Sequence, residues 1–255
     1  MSYVFPFGQK LEIVKQEDRS PKKFFVLGVY ASAVHARWRG IDNKIKINAL
    51  AVASEPYIFW KGDGCREIIG KISMPKELGT LEPALPKYNG PSGNTLDDKF
   101  LKPLGTERSE AWLCDLLPYS RINSNQRKAL DKYYEPEVSR FSLPKCTVPN
   151  FTQTELKSQY NRHIEVMQEI EESKCNTIIL LGDLPIKYWL SHFTRFRKLA
   201  DFGDTFDRYG KTYDIKLNGK NFNILPLVHP RQAGNLGKAS KKWNELHNQW
   251  VANHT

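Results

Sequence analysis

Short apolar runs recur along the chain: FFVLGVY at 24–30, INALAVASEP at 47–56, AWLCDLL at the head of 111–123, and NTIILLGD ahead of Leu184. The first is rich in β-formers around Gly28 and the second is stopped by Pro56. The last two read as buried strands: NTIILLGD by its unbroken β-branched and Leu content, and AWLCDLL as an apolar run that carries one acid, Asp115, toward its far end. ASAVHARW, after the first run, is read as the start of a helix or an ordered loop. From 70 to 95 the chain is rich in Pro, Gly and Lys, which predicts a long surface connection. It leads into GPSGNTLDDKFLKPLG, where Ser92 or Asn94 can cap a short helix that turns Leu96, Phe100 and Leu101 inward.

The clearest helical period lies at 152–174, where Leu156, Tyr160, Ile164, Met167 and Ile170 share one face and Thr152 with Glu155 forms a capping box. RKALDKYYEPEVSRFSL is a helix and loop of open division, and LPIKYWLSHF reads as a helix. KTYDIKLNGKNFNILPLVHP is a hairpin turned on Asn218-Gly219, the pair suited to two consecutive positive φ angles. Strands alternating with helices predict an α/β fold with a mostly parallel sheet covered on both faces. Ligands of such sheets sit at the carboxyl ends of the strands. Those ends carry Gly28-Val29-Tyr30, Asp115, Gly182-Asp183 and His229-Pro230-Arg231.

Length and charge narrow the picture. A chain of 255 residues is read as one domain over 1–255. The formal charge is +10, with basic residues gathered in RSPKKFF, ARWRGIDNKIK, TRFRKL and GKASKKW. Such a surface suits a polyanion, and double- or single-stranded DNA is the partner that the reading favours. A merely soluble basic protein has the same charge. No apolar run has bilayer length and the N-terminus lacks a secretion signal, so a cytoplasmic monomer without membrane contact is expected. Cys65, Cys114, Cys146 and Cys175 are dispersed with no C-x-x-C pair, so they read as reduced core thiols, with neither metal nor cofactor expected.

Four segments in order resemble the uracil-DNA glycosylase superfamily, in particular its iron–sulfur-type branch. GPSGNTLDDKFLKPLG followed by AWLCDLLPYSRIN is similar to the helix start and strand that end in a base-reading asparagine. FVLGVYASA falls where the first, water-activating motif stands, INALAVASEP resembles the next pocket segment, and LPLVHPRQAGNLG is similar to the second motif, built on His-Pro. The resemblance implies a three-layer α/β/α fold that flips a base out of DNA and hydrolyses its glycosidic bond. The departures point away from an ordinary uracil enzyme. Val29-Tyr30-Ala31 replaces the water-positioning residue, Val52 stands where an aromatic often stacks on the base, the cluster cysteines are absent, and Asp115 stands in the asparagine's place.

An asparagine can donate to uracil O4 and accept from N3–H, whereas an ionised aspartate only accepts. Burial raises a carboxyl's pKa, and a protonated Asp115 could donate to a cytosine-like N3 while accepting from its exocyclic amine. A modified cytosine, such as those of viral DNA, is therefore the expected substrate, with a role in repair or antiviral defence. His229 suits donation to the departing base's carbonyl oxygen. Alternatively Asp115 is ion-paired with Arg121 or Arg37, and His229 is a histidine satisfied by backbone. Glu55, then Asp183 and Asp63, are candidates for activating water. Gly28, Val29, Tyr30, Val52, Phe59 and Trp60 are assigned to the base pocket, the last two with core packing as the equal alternative. Ser32, His35, Arg37, Ser92, Gly93, Arg231 and Lys238 are assigned to DNA. An ordinary uracil glycosylase, a non-catalytic DNA-binding protein of the same fold, and a hydrolase of free nucleosides or nucleotides are the competing readings.

Overall fold

A computed structural model describes residues 3–158 and 160–254. Its strands are β1 (Phe24–Tyr30), β2 (Ala33–Arg39), β3 (Ile45–Ser54), β4 (Thr80–Pro83), β5 (Ala111–Leu117), β6 (Thr177–Leu181), β7 (Tyr213–Leu217) and β8 (Lys220–Leu227). The α-helices are α1 (Cys65–Gly70), α2 (Pro91–Leu96), α3 (Ser124–Tyr133), α4 (Glu135–Arg140), α5 (Gln153–Ser158), α6 (Tyr160–Ser173), α7 (Asp183–Tyr188), α8 (Pro230–Ala233) and α9 (Lys241–Ala252). The described chain forms two compact units, each assembled from three separate stretches of chain.

The larger unit takes residues 15–29, 92–117, 153–158 and 160–254 of the described chain. It holds a five-stranded sheet in the order β5-β1-β6-β8-β7, flanked by helices. β1 runs parallel to β6 and β6 parallel to β8, while β7 returns antiparallel to β8. The β7–β8 turn is the expected Asn218-Gly219, at φ 45° and 87°, both central residues in the left-handed region that a tight primed turn requires. Lys23 N–H bonds to Glu110 O at 2.8 Å, so β1 and β5 begin side by side. α2 starts at Pro91, a favoured first helical position, and runs on as a π-helical segment Asp97–Leu101. Ser92 and Asn94 therefore lie inside the helix rather than at its cap. Leu96, Phe100 and Leu101 are buried as expected.

The periodic segment 152–174 forms α5 and α6. Leu156, Met167 and Ile170 are buried, but Ile164 is 49% exposed, and the Tyr160 side chain lies outside the described residues. The buried face of α6 is instead shared by Arg162, Val166 and Glu169.

The smaller unit takes residues 3–14, 30–91 and 118–152 of the described chain. Its three-stranded antiparallel sheet, ordered β3-β2-β4, was not foreseen: ASAVHARW is strand, not helix or loop. The alternation in β2 explains this, with Val34, Ala36 and Trp38 buried and His35, Arg37 and Arg39 on the other face. Segment 70–95 likewise contributes β4, which pairs with β2. Phe7, Trp38 and Tyr134 meet edge to face at the core, with ring centroids 5.1–6.5 Å apart. The β2–β3 turn raises Ile41, 78% exposed, at its tip.

Candidate active site

Parallel register brings the ends of β1, β6 and β8 to one edge of the larger unit's sheet. Leu27 pairs with Leu180 and Leu180 with Pro226, so Val29, Gly182 and Val228 are level at the rim. Gly182, at φ 86°, sits directly behind His229: a Cβ there would stand 3.1 Å from the histidine Cβ. This region of backbone space is open to glycine alone.

His229 caps the short turn α8. Its Nδ1 accepts the Arg231 backbone N–H at 3.1 Å, which places the ring proton of the neutral imidazole on Nε2. Burial, helped by the nearby Arg231 guanidinium, lowers its pKa to about 4. At neutral pH it is thus an uncharged donor. The following loop is held from both sides. Lys99 Nζ donates to Ala233 O at 2.9 Å, and Asn244 Nδ2 donates to Gln232 O and Ala233 O. Arg231 is exposed but folds back, its Nε donating to Leu236 O at 3.0 Å. Lys238 is exposed on the same loop. Arg108 donates to Gly93 O, while Ser92 is half-buried one residue earlier. Gly234 packs against Thr95, so this helix start and the histidine loop are neighbours.

Asp115 lies on β5, two residues before the strand ends, and is 3% exposed. The start-to-start pairing puts it level with Leu27 on β1, so β1 and β6 stand between it and β8. Three strand spacings correspond to about 14 Å across the sheet, so Asp115 and His229 do not touch each other. Trp112 and Cys114 contact α6, so alternation turns Asp115 to the opposite face. The cation beside it is neither Arg121 nor Arg37. Arg162 donates to the Asp115 carbonyl oxygen at 2.7 Å, to Cys114 Sγ at 3.0 Å and to Glu169 at 3.0 Å. Glu169 in turn accepts from Trp112 Nε1 at 2.9 Å. The arginine serves the backbone and Glu169, while Asp115 Oδ1 is buried with no hydrogen-bond partner among the described residues. Burial raises the Asp115 carboxyl to about 7, Arg162 pulling it down and Glu169 adding to the rise.

The remaining candidates divide. Gly28 and Val29 are buried on β1 beside this edge. In the smaller unit Tyr30 is 38% exposed and stacks on Phe151 at 4.8 Å, a partner no local pattern signalled. Ser32 O accepts the Ser120 hydroxyl. His35 is a packed histidine: its backbone N–H donates to Asn89 Oδ1, its Nε2 meets Gln126 at 2.8 Å, and burial lowers its pKa to about 4. Arg37 is paired with Glu82 at 3.2 Å. Val52, Phe59 and Trp60 are all buried, and Trp60 Nε1 donates to Asp63 O.

Of the carboxylates named for water activation, Asp183 Oδ1 accepts the Leu199 N–H and Asp63 accepts the Tyr57 hydroxyl. Glu55 is 4% exposed and lines a cavity of about 470 Å³ with Lys10, Glu12 and Ser54, all within the smaller unit. No group of three or more His, Cys, Asp or Glu among the described residues is placed to hold a metal ion. No helix among them is long and apolar enough to cross a membrane. No family model matches the chain, and no curated protein matches it.

Proposed function

We propose that the chain is a monofunctional DNA glycosylase that excises a cytosine-type, modified base. The observation that carries this reading is the Asp115 carboxyl, buried, without a partner on Oδ1 and lifted to about 7. A carboxyl near neutrality can hold the proton that a departing cytosine needs at N3 and accept from the exocyclic amine. In the step proposed, the bond between C1′ and the base nitrogen breaks and its electron pair goes to the base. The Asp115 proton goes to N3, and His229 Nε2–H donates to the carbonyl oxygen from the far side of the sheet edge. Water oxygen bonds to C1′ and releases its proton to solvent. The neutral imidazole suits this work, since it steadies growing charge on the base without first having to lose a proton. The formal charge of +10 supports DNA as the substrate polymer.

The test is a panel of DNAs carrying uracil, cytosine, and hydroxymethylated or glucosylated cytosine, scored for alkali-labile sites. Cleavage at a cytosine derivative, moving toward uracil in Asp115→Asn, is expected; unchanged base preference in that variant rules the reading out.

A second reading is a non-catalytic DNA-binding protein of the same fold. It is favoured by the hydrogen bonds that already occupy Asp183 and Asp63. Salt-sensitive binding with no abasic product on any substrate would select it.

A further inference from the structure

Behind the histidine loop runs a buried chain of hydrogen bonds that the proposed chemistry does not use. Val228 N–H meets Tyr209 Oη at 3.0 Å, Tyr209 Oη meets His247 Nδ1 at 2.7 Å, and His247 Nε2 meets Lys99 O at 2.9 Å. Tyr209 is 5% exposed, and Val228 and His247 are 1% and 0% exposed.

Only one arrangement of protons satisfies all of them. The amide of Val228 can only donate, so the phenol oxygen accepts there and sends its single proton to His247 Nδ1. His247 then carries its proton on Nε2 and gives it to the Lys99 carbonyl. Burial holds this arrangement in place, lowering His247 to about 4 and pushing Tyr209 well above its usual value. Phe100 and Trp250 hold the His247 ring at centroid distances of 4.3 and 5.2 Å.

The two ends of the chain matter. Val228 is the residue immediately before His229. Lys99, whose carbonyl ends the chain, also sends its ammonium to Ala233 O beyond the histidine turn. The entry and the exit of the turn are thus tied to the same point in the π-helical segment 97–101 and to α9.

We propose that Tyr209 and His247 are positioning residues for His229, fixing the backbone that delivers its imidazole to the sheet edge. The proposal rests on the reading of His229 as the group that meets the departing base. A fixed backbone at Val228 keeps His229 Nδ1 on the Arg231 amide, and that contact alone dictates which nitrogen presents a proton to substrate. Its wiring makes the device rigid across the neutral range rather than pH-responsive.

The test reads His229 itself, by ¹⁵N ring shifts in the whole protein. Wild type is expected to show one neutral tautomer, protonated on Nε2, down to about pH 5, since the ring titrates near 4. Tyr209→Phe keeps the volume but strands the Val228 N–H and His247 Nδ1. There His229 is expected to become a mixture of tautomers, titrating closer to the ordinary 6.5. If a folded Tyr209→Phe leaves the His229 spectrum and titration as in wild type, the proposal is overturned. Should that variant not fold, His247→Asn and His247→Leu make the same comparison, Asn keeping an acceptor for Tyr209 and Leu keeping none. A wild-type-like His229 in Asn but not in Leu supports the proposal, and equal spectra in the two overturn it.

On a cleaved substrate, Tyr209→Phe should lower kcat about 10- to 100-fold with KM for DNA unchanged. A changed His229 spectrum with no base release even from wild type supports the positioning role and counts against the glycosylase reading alone.

Discussion

Asp115 and His229 belong to the same sheet, yet their surroundings treat them in opposite ways. Around His229 the Val228 and Arg231 amides and the Gln232 and Ala233 carbonyls are tied, its Nδ1 is occupied, and one ring donor, Nε2–H, is left over. Around Asp115 the best available cation, Arg162, is spent on the strand's own carbonyl and on Glu169. One group is held in place by satisfied hydrogen bonds, whereas the other is buried at a cost. The contrast teaches that the two perturbations differ in kind. A neutral histidine at a rim is a cheap arrangement that packing alone can produce. A lone carboxyl nearly sealed in a core strand costs stability at neutral pH, and such costs gather where function requires them.

The contrast can be broken first at Arg162. Arg162→Met leaves Glu169 buried without its cation and should cost about 3–5 kcal/mol, measured by urea unfolding. The residual Asp115 carboxyl should then titrate still higher, since its one attractive neighbour is gone.

The next largest effect carries the opposite sign. Folding lifts the Asp115 carboxyl from 3.8 to about 7, so the native state favours the proton, and the cost of the buried charge grows from pH 4 to 7 and is complete above that. At about 1.4 kcal/mol per pH unit, Asp115→Asn should stabilise the protein by up to about 4 kcal/mol at pH 8. The gain should shrink through pH 7 to 4 and vanish below, which a pH series of unfolding midpoints would show. No gain at pH 8 would mean that the carboxylate has a good partner after all.

Gly182→Ala probes the other pole. The forbidden backbone region and the 3.1 Å approach to His229 should together cost about 1–3 kcal/mol, read as a lowered melting temperature with His229 displaced in its ring shifts. The smallest effect is expected outside the buried network. Arg19 pairs with Glu172 and lies over the Trp112 ring at 4.7 Å, both charges being nearly half exposed. Glu172→Gln should leave the melting temperature indistinguishable from wild type at physiological salt, because water and ions already screen that pair.

Much of the sheet was legible in the chain. NTIILLGD is a strand because its Ile and Leu run is unbroken, AWLCDLL because six apolar residues surround its one acid, Asp115, and Asn218-Gly219 makes the hairpin through backbone geometry alone. The antiparallel sheet was harder to see. β2 alternates cleanly, but its polar positions are His and Arg, which read as a binding surface when met without their partners Glu82 and Gln126. Ile164 came out exposed because the inward face of α6 is claimed by Arg162 and Glu169, a charged pair set seven residues apart in an apolar stripe. That spacing is a readable signal, since two opposite charges two turns apart on an inward face imply each other. Tyr209 and His247 left no such trace, as their partnership is made only by the tertiary fold.

The four cysteines are all buried and unpaired with one another. A reagent that alkylates thiols should therefore leave the native chain almost untouched, while a single cysteine placed at the Ile41 tip would react at once. The molecule comes with a chemically silent background, on which one dye or cross-linker at that tip can report whether DNA passes by it.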